Sequence, residues 1–276
     1  MPPHLHNGSG PWGPAWLTVA LLVIAIGYLR GWVRLRRPAS SRLPAWRALS
    51  FFSGAAAIWI AVASAVSASD GRLLTFHMVQ HLLLMTIAPP LVFLGEPLLA
   101  LWHAAGPREG EGVTRMLQRP SVQGLAKALG HPAVGWLAAT ATLVGWHIPA
   151  LFALAMGSHT WHATAQASFL ASGLLFWWPV VQPWPSRPDP QWSTVAYLFL
   201  ATLPCDVLSA FLVFSDRVAY SAYLSTSPAP AVLDDQQCAG ALMWTCVTIV
   251  YLVAGAIVST QLLTRPSSRP RLAEVV

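Results

Sequence analysis

Residues 236–263 read QQCAGALMWTCVTIVYLVAGAIVSTQLL, a run of 28 positions without one Asp, Glu, Lys or Arg. About 20 apolar residues in a helix cross the ~30 Å hydrocarbon core of a bilayer, so this stretch reads as a transmembrane helix. It is not alone. Similar segments lie at roughly 15–33, 46–67, 73–104, 132–156, 160–181 and 193–214. The third exceeds one span and contains Pro89, Pro90 and Pro97. It is expected to run as a helix to about residue 88, break at the prolines, and continue as a helical or re-entrant piece holding Glu96. The 105–130 connection, with Gly106, Gly110 and Gly112, is the longest expected loop.

Composition agrees. Of 276 residues 55% are hydrophobic and 9% charged, where a soluble domain carries about 25% charged residues. So few charges do not cover a water-facing surface, and a lipid-facing surface needs none. Several of the 14 Trp residues sit at segment ends, among them Trp16, Trp46, Trp161 and Trp192, as amphipathic rings do at a membrane interface. The reading is an all-α, polytopic membrane bundle of about seven transmembrane helices. It spans 15–263, flanked by tails at 1–14 and 264–276.

The net charge of +6 reads as topology and not as nucleic-acid binding. Arg30, Arg34, Arg36, Arg37, Arg42 and Arg47 fall in one connection, and Arg108, Arg115, Arg119 and Lys127 in another. Arg187, Arg265, Arg269 and Arg271 share that side, leaving only Arg72 and Arg217 opposite: fourteen against two. Lys and Arg accumulate on the cytoplasmic face, so the N-terminus is expected outside and the C-terminus in the cytoplasm. Met1 to Ala15 hold no Lys or Arg. A cleaved signal peptide begins with a basic region, so the first apolar segment is expected to remain as a helix. Three cysteines within apolar segments make no disulfide framework.

Ionisable and polar groups inside spans are costly and mark sites or internal pairings. With this orientation they gather toward the outer side: His77 and His81, His147, His159 and His162, Cys205 and Asp206, then Asp234, Asp235, Gln236, Gln237, Cys238, Met243 and Cys246. The i, i+4 spacing of His77 and His81 puts both imidazoles on one helix face, within reach of one ion. His159 and His162 are spaced i, i+3, with Gln166 one turn on. Imidazole, thiolate and thioether together suit copper, the sulfurs favouring Cu(I). His and Asp alone suit zinc. A lone intramembrane His is more often a packing residue than a ligand, and a buried Cys more often a small apolar one. His103 and His131 read as interfacial, His4 and His6 as parts of a tail, and Glu96 as a partner for loop arginines. The connection 215–235, with Tyr220, Tyr223, Pro228 and Pro230, is long enough to cover the outer groups. No phosphate-cradling loop and no Ser/His/Asp nucleophile pattern is present.

Three stretches resemble one family: HMVQHLLLMTIAPPLVFLGEPL (77–98), GWHIPALFALAMGSHTWHATAQASFLASGLLFWWPVV (145–181) and DDQQCAGALMW (234–244). They are similar to the polytopic CtaG family of cytochrome c oxidase assembly factors linked to caa-type enzymes, over about 70–264. The resemblance implies a seven-helix, non-enzymatic protein of the bacterial plasma membrane. Its implied role is to mature a heme-copper oxidase by serving the copper site of its catalytic subunit. Carried onto this chain, the HMxQH histidines are His77 and His81, and the WHxP histidine is His147. Those that follow are His159 and His162, and the DQQ motif is Asp235, Gln236 and Gln237. Many members have a histidine where this chain has Gln166. Cys205 and Asp206 stand as a variant ligand set, with Cys238, Gln166, Gln236 and Met243 as further candidates.

The expected ligands are thus His77, His81, His147, His159, His162 and Asp235, the ion Cu(I), and the partners an oxidase subunit, an external copper donor and membrane lipid. Two alternatives use the same residues. One is an electron-transfer subunit with heme on axial histidines. The other is a copper permease, although the inner halves of the helices are mostly apolar.

Overall fold

A computed structural model describes residues 15–36, 43–64, 66, 69, 71–104, 115, 119–181, 191–225 and 227–264. The expectations for both tails, including His4 and His6, lie outside these residues, apart from Thr264. All regular structure described is helical, with no strand. The elements are α1 (Ala15–Arg36), α2 (Ala45–Ala63), α3 (Leu74–Leu94), α4 (Pro97–Ala104), α5 (Pro120–Leu129), α6 (Pro132–His147), α7 (Pro149–Gly157), α8 (His159–Val181), α9 (Trp192–Phe214) and α10 (Ala229–Leu263). A short 3₁₀ turn, Ser221–Ser225, precedes α10.

Helices α1, α2, α3, α9 and α10 are each long and apolar enough to cross a membrane, and α6 with α7 makes a sixth if that pair counts as one bent span. The chain therefore has the helices of a multi-pass membrane protein. Helix α8 has the length and no charged residue. However, His159, Thr160, His162, Thr164, Gln166, Ser168 and Ser172 keep it less apolar than the others.

Three expectations need correction. The single span expected at 132–156 is two helices bent by 77°. The break is Ile148, held extended at φ −64 and ψ 125, because the ring of Pro149 disfavours a helical conformation in the residue before it. The bend leaves His147 as the last residue of α6. Second, α3 does not stop at Pro89 and Pro90 but runs to Leu94. The break comes at Gly95 and Glu96, where Glu96 takes a φ of 50° and pairs with Arg47. The hydroxyl of Tyr28 donates to the Gly95 carbonyl at 2.8 Å. Third, the expected 105–130 loop contains α5, which has no buried residue.

How α3 passes two prolines is a matter of hydrogen bonds. Leu82–Ile87 is a π-helical stretch, and such stretches favour functional sites. The carbonyl of Met85 has no helical donor, since position 89 (the α partner) and position 90 (the π partner) are both proline. The indole of Trp177 on α8 supplies the bond, donating to Met85 O at 3.2 Å. Gly173, one turn earlier, lets α8 come close, for a Cβ there would lie 2.7 Å from the same oxygen. Helices α3 and α8 are thereby fastened together at the level just beyond His81.

The main core lies between α3, α6, α8, α9 and α10, around Met78, Phe169, Phe176, Trp177 and Tyr251. A smaller core joins α1, α2 and α4, with Tyr28 stacked on Phe51 at 3.9 Å.

Candidate metal centre

Four imidazoles from three helices form a contiguous chain in the main core. His77 and His81 on α3 have ring centroids 4.2 Å apart. His162 on α8 lies 5.8 Å from His77, and His147 at the end of α6 lies 5.8 Å from His81. The helix bend at Ile148 and the i, i+4 stripe on α3 are the two local features that bring the rings together.

Their hydrogen bonds fix part of the chemistry. His147 Nδ1 faces the Leu143 carbonyl at 2.7 Å. A carbonyl only accepts, so Nδ1 carries the proton and points Nε2 at the Met78 sulfur, 3.4 Å away. The Gln166 amide nitrogen lies 2.9 Å from His162 Nε2, so Gln166 donates to the ring and holds it. His81 is 6% exposed and stacks on Phe169 at 3.8 Å. Among the described residues, neither of its ring nitrogens has a hydrogen-bond partner. Such a buried polar group is costly unless something satisfies it. A soft cation is one such partner.

Among the described residues, no group of three or more His, Cys, Asp or Glu side chains is arranged to hold a metal ion. The rings are a run of neighbours, not a closed cage.

Other expected ligands are placed elsewhere. Asp235 caps α3 from across the bundle: its Oδ2 accepts from Leu74 N at 2.6 Å, and its Oδ1 from Thr75 Oγ1 at 2.6 Å. Its carboxylate serves backbone donors that the first turn of any helix leaves unpaired. Gln236 accepts from Ala219 N at 2.7 Å and donates to Arg217 O at 3.2 Å, which ties the 215–220 segment to α10. His159 is exposed at the start of α8, Cys238 is exposed, and Asp206 is half-buried. Cys205 and Met243 are buried, and both line a cavity that His81 also lines.

Sequence reading missed Met78, Phe152 and Phe169. Phe169 follows His162 by seven residues, two turns along one face, and that spacing was a readable signal. The segment expected to cover the site does so with buried rings: Tyr220 stacks on Phe152 at 4.1 Å and its hydroxyl donates to His147 O at 3.3 Å. Burial pushes the Tyr220 phenol above its ordinary pKa, so it remains a donor. Pro228 begins α10 as its N-cap, and Asp234 and Asp235 are already helical.

The family model described as "Cytochrome c oxidase caa3 assembly factor" (Caa3_CtaG) matches residues 26–265. The "Uncharacterized protein ML1998" of Mycobacterium leprae is 27% identical over 241 residues, 84% of this chain and 36% of its own length. The "Uncharacterized protein Mb0105" of Mycobacterium bovis is 27% identical over 249 residues, 86% of this chain and 37% of its own length. The chain thus spans little more than a third of these curated relatives. No solved structure matches.

Proposed function

We propose that this chain, which belongs to the cytochrome c oxidase caa3 assembly factor family, carries Cu(I) on its histidine chain and delivers it to a heme-copper oxidase subunit. The observation that carries this reading is His81. It is a buried imidazole with both nitrogens unsatisfied, flanked by His77 and His147, with His162 beyond His77. Copper is the cargo and not a resident cofactor, and no substrate is turned over. Small ring rotations bring two imidazoles onto one ion, and the neighbouring rings offer the next ligands. Exchange between adjacent, incomplete ligand sets suits transfer, whereas a closed cage would release its ion slowly. The cavity beside His81 is about 40 Å³, where one water needs about 10–15 Å³. It admits an ion.

Purified protein titrated anaerobically with Cu(I) is expected to bind about one ion per chain. Replacing His77 and His81 by Ala weakens binding at least tenfold, or about 1.4 kcal/mol. Unchanged affinity in the double variant overturns the reading, and an intense Soret band from the purified protein replaces it with the heme alternative.

In this reading α8 is also a crossing, which makes seven, in the bacterial plasma membrane, with the N-terminus and the histidines toward the outside. In a cysteine-free background, cysteines at Ser69 and Ser227 then react with an impermeant thiol reagent on intact cells, and one at Ser121 does not. The reverse pattern overturns the orientation.

A further inference from the structure

One cavity in the main core is lined by His81 of α3, Cys205 of α9 and Met243 of α10, with Met85 and Tyr251 beside them. Cys205 and Met243 are each 3% exposed. Cys205 sits directly after Pro204, which also lines the cavity. Proline removes a helical donor and bends its helix. The Cys205 sulfur lies 3.8 Å from the Ser209 hydroxyl.

On the copper-carrier reading above, we infer that this cavity is the resting site of the ion, held by His81, the Cys205 thiolate and the Met243 thioether. His77, His147 and His162 then form the loading and unloading path, with His81 as the ligand common to both. Two independent observations point to a ligand: a buried cysteine and a buried methionine lining the same space, and the unsatisfied imidazole of His81 lining it too. Nitrogen with two soft sulfurs selects Cu(I).

Charge favours the sulfur set. A bare monovalent cation among neutral imidazoles in an apolar interior carries a large desolvation cost. Among the described residues no Asp or Glu lines the cavity, and Cys205 is the lining group that as a thiolate makes the buried pair neutral. Binding breaks the Cys205 S–H bond, forms a Cu–S bond, and sends the proton to bulk solvent. Copper enters and stays as Cu(I), and no electron moves.

The experiment uses the full chain in detergent, with Cu(I) supplied anaerobically from a weak competing chelator. X-ray absorption is expected to find nitrogen and sulfur around the ion, and about one proton is released per Cu(I) bound. Cys205→Ser, which keeps the partner of Ser209, abolishes the proton release and weakens binding at least tenfold. Met243→Leu, close in volume, keeps the proton release and weakens binding less. An all-nitrogen shell in the unsubstituted protein overturns the inference while leaving the copper reading standing, and needs no variant to fold. Unchanged binding and proton release in Cys205→Ser does the same. Failure of the unsubstituted protein to bind Cu(I) overturns both.

Discussion

Cells lacking this chain are expected to keep the oxidase polypeptide in their membranes but to show markedly lower oxidase copper content and activity. The reason is chemical: free Cu(I) is scarce where competing ligands abound, so a centre inside a membrane subunit fills slowly without a carrier. His81→Ala should reproduce the loss, because it removes the imidazole that neighbours His77, His147 and Phe169. Excess external copper should partly restore activity in that variant.

Asp235→Ala should also lower oxidase copper, by a different route. It leaves Leu74 N and Thr75 Oγ1 without the acceptor that caps α3, a change worth about 1–2 kcal/mol of stability. Cu(I) titration of the folded variants separates the two, affinity being lost in His81→Ala and largely kept in Asp235→Ala, whose carboxylate caps α3 and lies away from the rings. Full copper occupancy of the oxidase in the deletion strain would replace copper delivery with a role in folding or heme insertion.

Gly173→Ala is expected to destabilise the bundle by about 1–3 kcal/mol, the usual range for overpacking. The added Cβ meets Met85 O at 2.7 Å and Met85 Cα at 2.8 Å. These are backbone atoms, which do not turn aside as a side-chain tip would. Helix α8 must retreat from α3, drawing Trp177 off the Met85 carbonyl and shifting His162 and Phe169 from His77 and His81. Cu(I) affinity should therefore fall together with thermal stability. Gly255→Ala is the matched control. Its Cβ meets nothing within 4 Å, and exchanging a mid-helix Gly for Ala stabilises by about 0.5–1 kcal/mol. Equal stability of Gly173→Ala and the unsubstituted protein would mean that the close approach of α3 and α8 does not hold the site.

By itself the sequence determined the class of molecule and the course of most helices. Long uncharged runs such as 236–263 far exceed the ~10 residues of a barrel strand, so in lipid they satisfy their backbone as helices. It also placed His77 and His81 on one face, since an i, i+4 pair needs no knowledge of neighbours. What it did not determine was which face of each helix turns inward. In a soluble helix polarity marks the outside, but lipid is as apolar as the core, so Phe199, Leu203, Val207 and Phe211, exposed on α9, read like the buried Leu198 and Leu212. Only the tertiary structure decided that Asp235 caps α3 across 161 positions. It also turned Cys205, Met243 and His81 toward one cavity, and gave the Met85 carbonyl to Trp177. Each depends on the rotation of one helix against another, which packing between small residues sets and apolar composition does not record.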